Sequence, residues 1–291
     1  MTTYASKSNG YKIFRFFNVI IMFLVIIVTL FPVLNIVAKS FSDVKNLTQN
    51  TVSIFPKGFN IDTYKTIMAD MDFWSDYKNT IIYTVLSTVV SLFMTTIFAY
   101  ALSVTRLKGR KFFSAFVVFT MFFNGGIIPN YMVVNGLNMR NTIWAIVLPG
   151  AINTFNLIVM RTFFEAIPKE LEEAASIDGM NTYGILTRII LPLSKPIIAT
   201  MVLFYAVAMW NSWFSAFLYL DHTNLLPVTM YLRNLIAGAM SAAGADADSL
   251  GTVSVNIKYV TIVLTSLPIL CVYPFLQKYF VQGLMIGSVK G

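Results

Sequence analysis

The chain has 291 residues, 57% of them hydrophobic and 12% charged, with a net charge of +8 and a mean hydropathy of +0.71. Soluble domains carry about 25% charged residues, so a water-soluble enzyme or binding module is excluded. A single Cys271 and a single His222 rule out a disulfide framework and a metal site built from several cysteines or histidines.

Taken in chain order, the sequence falls into charge-free runs separated by polar loops. A hydrocarbon core of about 30 Å needs about 20 helical residues. After a tail over 1–15, residues 16–38 give the first run, 23 residues between Arg15 and Lys39. It exceeds the ~7–15 residues of a signal-peptide core and lacks a clean cleavage site, so a retained span is expected. Residues 39–77 form an outer loop with five aspartates. Its SDVKNLTQN segment reads as extended, and FNIDTYKTIM as the start of a short interfacial helix. Runs of 27, 28 and 20 residues follow at 79–105, 112–139 and 141–160. The third run contains NGGIIPNY at 124–131, where two glycines and a proline end or bend a helix near the outer face.

Between the fourth and fifth runs lies a charged elbow, residues 168–196. Pro168 suits the first position of a helix. Glu170, Glu172 and Glu173 fall in its first turn, where the helix dipole favours negative charge. Leu171, Ala174 and Ala175 are spaced to share one face, and Gly179 stops the helix. Asn181 or Thr182 caps a second piece with an apolar stripe of Ile185, Leu186, Ile189 and Ile190. Pro192 and Pro196 limit it. On physics alone this is a helical elbow on a membrane surface, either resting on lipid or docking a partner.

The last runs are 196–220 and 259–277, of 25 and 19 residues. An outer loop over 221–257, rich in Ala, Gly and Ser in its middle, joins them, and residues 286–291 form the closing tail. Placing both termini in the cytoplasm puts 13 Lys and Arg inside and 8 outside, with RLKGRK at 106–111 in a short inner loop. Polar and aromatic residues within spans, Asn153, Asn156, Tyr205, Trp210, Asn211 and Trp213, suit contact with a transported solute that has both apolar faces and hydrogen-bonding groups. They equally suit interfacial anchoring and helix–helix hydrogen bonding.

The elbow has a specific spacing: Glu173-Ala174-Ala175, three residues ending in Asp178, Gly179, nine residues, then Ile189-x-Leu191-Pro192. It resembles the EAA loop of permeases of ATP-binding-cassette importers. The resemblance implies an all-α membrane protein with six transmembrane helices and a cytoplasmic coupling-helix loop, 165–196, between spans 4 and 5. It implies a permease core over 78–285 in which Glu173, Ala174, Ala175, Asp178, Gly179, Ile189, Leu191 and Pro192 couple to an ATPase. NGGIIPNY, with Leu137, Thr142 and Trp144, resembles a branch of carbohydrate permeases that includes polysaccharide and aldouronate-oligomer importers. The implied partners are a second homologous permease, ABC ATPase subunits, an extracellular substrate-binding protein, a carbohydrate and membrane lipid, with no nucleic acid. The outer loop around 234–252 is placed to reach the binding protein.

This chain has no G-x-x-x-x-G-K-[ST] phosphate loop, so no cofactor is expected on it; ATP and Mg²⁺ belong to the partner ATPase. The chain is expected not to be an enzyme, and to sit in the cell membrane as a multi-pass protein. The alternative is a non-transporting integral membrane scaffold with an interfacial helical loop.

Overall fold

The structure, a computed structural model, describes residues 9–242 and 256–272. Among these every regular element is helical. The chain divides into two units, residues 1–70 with 232–266, and residues 71–231 with 267–291.

In the first unit, α1 (Asn9–Ser40) is apolar on all sides and almost wholly exposed until its last turns, as expected of a helix solvated by lipid. The segment expected to be extended after it is helical instead: α2 (Val44–Thr48) is capped by Asp43, whose carboxylate accepts from the Asn46 N–H at 2.8 Å. The cap satisfies an orphan donor and tips a polar stretch into a short helix. The short helix expected in FNIDTYKTIM is α3 (Asp62–Ala69). Asn35 donates to the Ser53 carbonyl at 2.7 Å, and Asn256 to that of Ser42 at 3.0 Å, tying the loop to its neighbours.

The second unit is built on α4 (Met71–Ser103). The helix begins eight residues before the charge-free run, so Asp72, Asp76 and Lys78 belong to it and the outer loop ends at Asp70. One side of α4 carries Thr80, Ser87, Thr88, Ser91 and Thr95, all buried. Small side chains let helices approach closely where no hydrophobic effect drives them together. Against α4 pack α8 (Thr154–Glu165) and α12 (Lys195–Trp210).

Two of the charge-free runs, the first and second, are single helices long enough to cross a membrane; others are broken. The third run bends by 114° between α5 (Arg110–Phe122) and α6 (Ile127–Gly136). Gly126, at φ +88°, supplies the backbone conformation that the break needs. The fourth run divides into α7 (Trp144–Val147) and α8, parted by Pro149-Gly150. The fifth divides at Asn211–Trp213 into α12 and α13 (Phe214–Tyr219). After α13 come α14 (Val228–Ala242) and the 17-residue apolar α15 (Asn256–Val272). The middle of the second outer loop and both tails lie outside the described residues.

Candidate functional site

The elbow forms from local signals. Its first helix, α9 (Lys169–Ile177), follows Pro168, which stands one place before the helix with an extended ψ of 127°. The helix closes in a Schellman stop. The Gly179 N–H donates to the Ser176 carbonyl at 3.1 Å and the Met180 N–H to that of Ala175 at 2.9 Å. Gly179 takes φ +79°, and a Cβ added there would meet nothing within 4 Å. Two residues later Asn181 caps α10 (Thr182–Ile185), accepting from the Gly184 N–H at 2.8 Å. A π-helical turn over Leu186–Ile190 and the short α11 (Leu191–Leu193) follow, and the chain then turns 84° at Ser194 into α12.

Burial sorts the motif into a base and a face. Ala175, Ile185, Leu186 and Ile190 are buried in one apolar cluster with Leu102 of α4, Leu157 and Phe164 of α8, and Met201 of α12. Ile189 and Leu191 pack at its edge. Ala175 therefore faces this chain's own core and is not free to meet a partner, contrary to the shared face expected of Ala174 and Ala175. Ala174, Glu170, Glu173, Asp178, Gly179 and Pro192 are exposed. So are Ile177 and Tyr183, at 86% and 77%, on either side of the glycine turn. The tip of the elbow is thus apolar with an acidic rim, on a base welded into the helical bundle.

A cleft of about 510 Å³ runs behind α9, between Ser103–Arg106, Phe164, Glu165 and the Glu172 face of the helix. Burial there pushes the Glu172 carboxyl above its ordinary value, against the opposing pull of Arg106 and Lys169. Arg106 also donates to the Thr182 hydroxyl at 3.0 Å, bridging the end of α4 to α10. Beside the cleft, Glu165 gathers two guanidiniums, Arg161 at 2.9 Å and Arg110 in a short ion pair. Arg110 donates also to the Leu102 carbonyl at 2.7 Å, and Arg161 to the Ser114 hydroxyl at 2.9 Å. One carboxylate therefore ties the ends of α4, α5 and α8 three residues before Pro168. Sequence alone hinted only at the Arg161–Glu165 spacing; Arg110 stood out merely as one of several loop cations.

The candidate path residues are not gathered around one cavity. The Tyr205 and Thr95 hydroxyls lie 2.6 Å apart in a buried pair, and the Asn153 N–H reaches the Tyr205 oxygen at 3.4 Å. Asn153 caps α8, accepting from the N–H of the buried Asn156 at 3.0 Å. Tyr205 thus links α12 to α4 and to the start of α8. Trp210 is buried edge-on to Tyr77 and walls an apolar groove of about 220 Å³ with Ile81, Val85, Leu203 and Pro268. Asn211 is exposed and donates to the Val207 carbonyl of its own helix at 2.8 Å. Trp213, 39% exposed, meets Phe214 edge-to-face.

The chain is similar to known proteins over nearly its whole length. Protein LplC of Bacillus subtilis (strain 168) is 44% identical over 282 residues, covering 96% of this chain and 96% of that protein. The polygalacturonan/rhamnogalacturonan transport system permease protein YtcP of the same organism is 40% identical, covering 94% and 96%. A chain from the crystal structure of a bacterial ABC transporter involved in import of the acidic polysaccharide alginate superposes with a TM-score of 0.84 at 33% identity, covering 95% of this chain and 99% of that one. Residues 77–286, most of the sequence, match the family described as "Binding-protein-dependent transport system inner membrane component", and the chain belongs to that family.

Proposed function

We propose that this chain is the permease subunit of an ATP-driven importer and forms half of the path for a carbohydrate, an oligosaccharide delivered by an extracellular binding protein. The observation that carries this is the elbow. An exposed tip of Ile177, Tyr183 and Ala174, rimmed by Glu170, Glu173 and Asp178, stands on a base that shares one core with α4, α8 and α12. Such a tip fits an apolar cleft with a basic rim on an ATPase. Because the base is close-packed, displacement of the tip moves the helices as a body rather than bending a loop. Closure of an ATPase dimer on ATP and Mg²⁺, neither held by this chain, would draw two such elbows together and reverse the side on which the path opens.

The chain crosses the membrane six times with both termini and the elbow in the cytoplasm, the broken runs serving as bent crossings. A second, homologous permease completes the path. The sugar chemistry of the relatives supports a carbohydrate. Within the path, this reading favours exposed Asn211 and Trp213 for sugar contact, while Tyr205 braces α12 against α4 and α8.

The test is purification of the tagged chain in mild detergent with identification of everything that accompanies it. A second permease and an ATPase are expected, with loss of the ATPase on Ile177→Asp. A chain that comes out alone, and is indifferent to Ile177→Asp and Glu173→Lys, would make it the non-transporting scaffold instead.

A further inference from the structure

A second groove, about 380 Å³, lies on the other flank of Arg106. Its walls are Ile97, Ala101 and Val104 of the last turns of α4 and the following residue, opposite Leu186 and Tyr183 of the elbow. On α4 these recur at helical spacing over about 10 Å. The groove lies where the second charge-free run ends, and its rim is cationic: Arg106, oriented by Thr182, and Lys108, exposed and without an ion-pair partner among the described residues. Tyr100 also lines it, is only 4% exposed, and has a buried hydroxyl with no hydrogen-bond partner.

An apolar trough along a spanning helix with two cations at its mouth matches one class of ligand. We infer that this groove holds an anionic phospholipid of the cytoplasmic leaflet, its acyl chain along Ile97, Ala101 and Val104 and its phosphate at Arg106 and Lys108. The placement in that leaflet rests on the orientation proposed above. Basic pockets between spanning helices on this side of a membrane are suited to anionic headgroups. Because one wall belongs to the elbow, the lipid would contact the coupling piece and α4 together.

The assembled importer, carrying Val104→p-benzoylphenylalanine, is reconstituted in vesicles of equal phosphatidylglycerol and phosphatidylcholine, illuminated, and weighed intact. The expected adduct is phosphatidylglycerol, favoured severalfold over phosphatidylcholine, and reduced about fivefold by adding Lys108→Gln. A crosslink to the sister permease or the ATPase, or lipid adducts without headgroup preference, would overturn the site. Should the photoreactive variant not assemble, lipid retained after detergent washing is compared between the unmodified importer and Lys108→Gln. A threefold or greater loss of phosphatidylglycerol is expected, and equal retention overturns the inference. ATP hydrolysis and sugar uptake are followed in the same samples. An active importer with no lipid preference removes only the lipid site, whereas a preparation lacking any ATPase removes the importer assignment.

Discussion

The Gly179 turn separates what this chain needs from what a partner needs. Its φ of +79° lies in the left-handed region, and a Cβ there meets nothing within 4 Å. Gly179→Ala therefore costs only backbone strain, about 1–2 kcal/mol, with no steric term inside the chain. Gly179→Asp carries similar strain, and its added carboxylate projects into open space beside Asp178. Neither change prevents insertion or folding. If the tip is seated in a cleft, the space beyond Gly179 is filled in the complex, and the Asp variant adds bulk and charge where a partner's surface must sit. We predict that the two variants show similar detergent melting curves, each modestly below that of the parent. The Asp variant should lose co-purified ATPase and substrate uptake by a factor well above tenfold, more than the 1.4 kcal/mol that tenfold represents. Intrinsic fluorescence melts, mass-based quantification of the retained ATPase, and uptake of labelled substrate into vesicles measure the three quantities. Normal uptake and ATPase retention by Gly179→Asp would remove the docking role. Failure of Gly179→Ala to fold would show that the turn is not the open one described.

Three further predictions concern the base. Glu165→Gln leaves the half-buried Arg110 and Arg161 without their shared charge; between exposed and buried ion pairs, the expected loss is about 1–2 kcal/mol, read as a lowered melting point and faster tryptic cleavage at 106–111. Glu172 has its pKa raised above the ordinary 4.5, so the protonated form is favoured by folding and stability falls as pH rises through that raised value. Glu172→Gln should thus raise the melting point at neutral pH and leave it unchanged at pH 4; an equal gain at both would refute the assignment. Tyr205→Phe strands the Thr95 hydroxyl in the core and should cost about 1 kcal/mol of stability, with the substrate KM unchanged. A raised KM with unaltered melting would instead make Tyr205 a sugar contact.

What the sequence determined by itself was local or compositional. Charge-free runs mark membrane solvation because burying an ion in hydrocarbon is costly whatever the fold. The elbow's breaks were legible because the Gly179 stop and the Asn181 cap each satisfy backbone groups within a few residues. The bend at Gly125-Gly126 was legible for the same reason, though its angle was not. The tertiary structure alone decided which side of α9 faces inward. Ala174 and Ala175 are neighbours of one chemistry, and only packing against α4 and α8 buries one and leaves the other outside. It also joined Arg110 to Glu165 and Thr95 to Tyr205 across separations of 55 and 110 residues. It showed Tyr205 linked to α4 and α8 and Asn153 capping α8, and exposed Ile177 and Tyr183 at the tip. Such pairings depend on which faces meet when helices pack, and one-dimensional spacing carries no record of that choice.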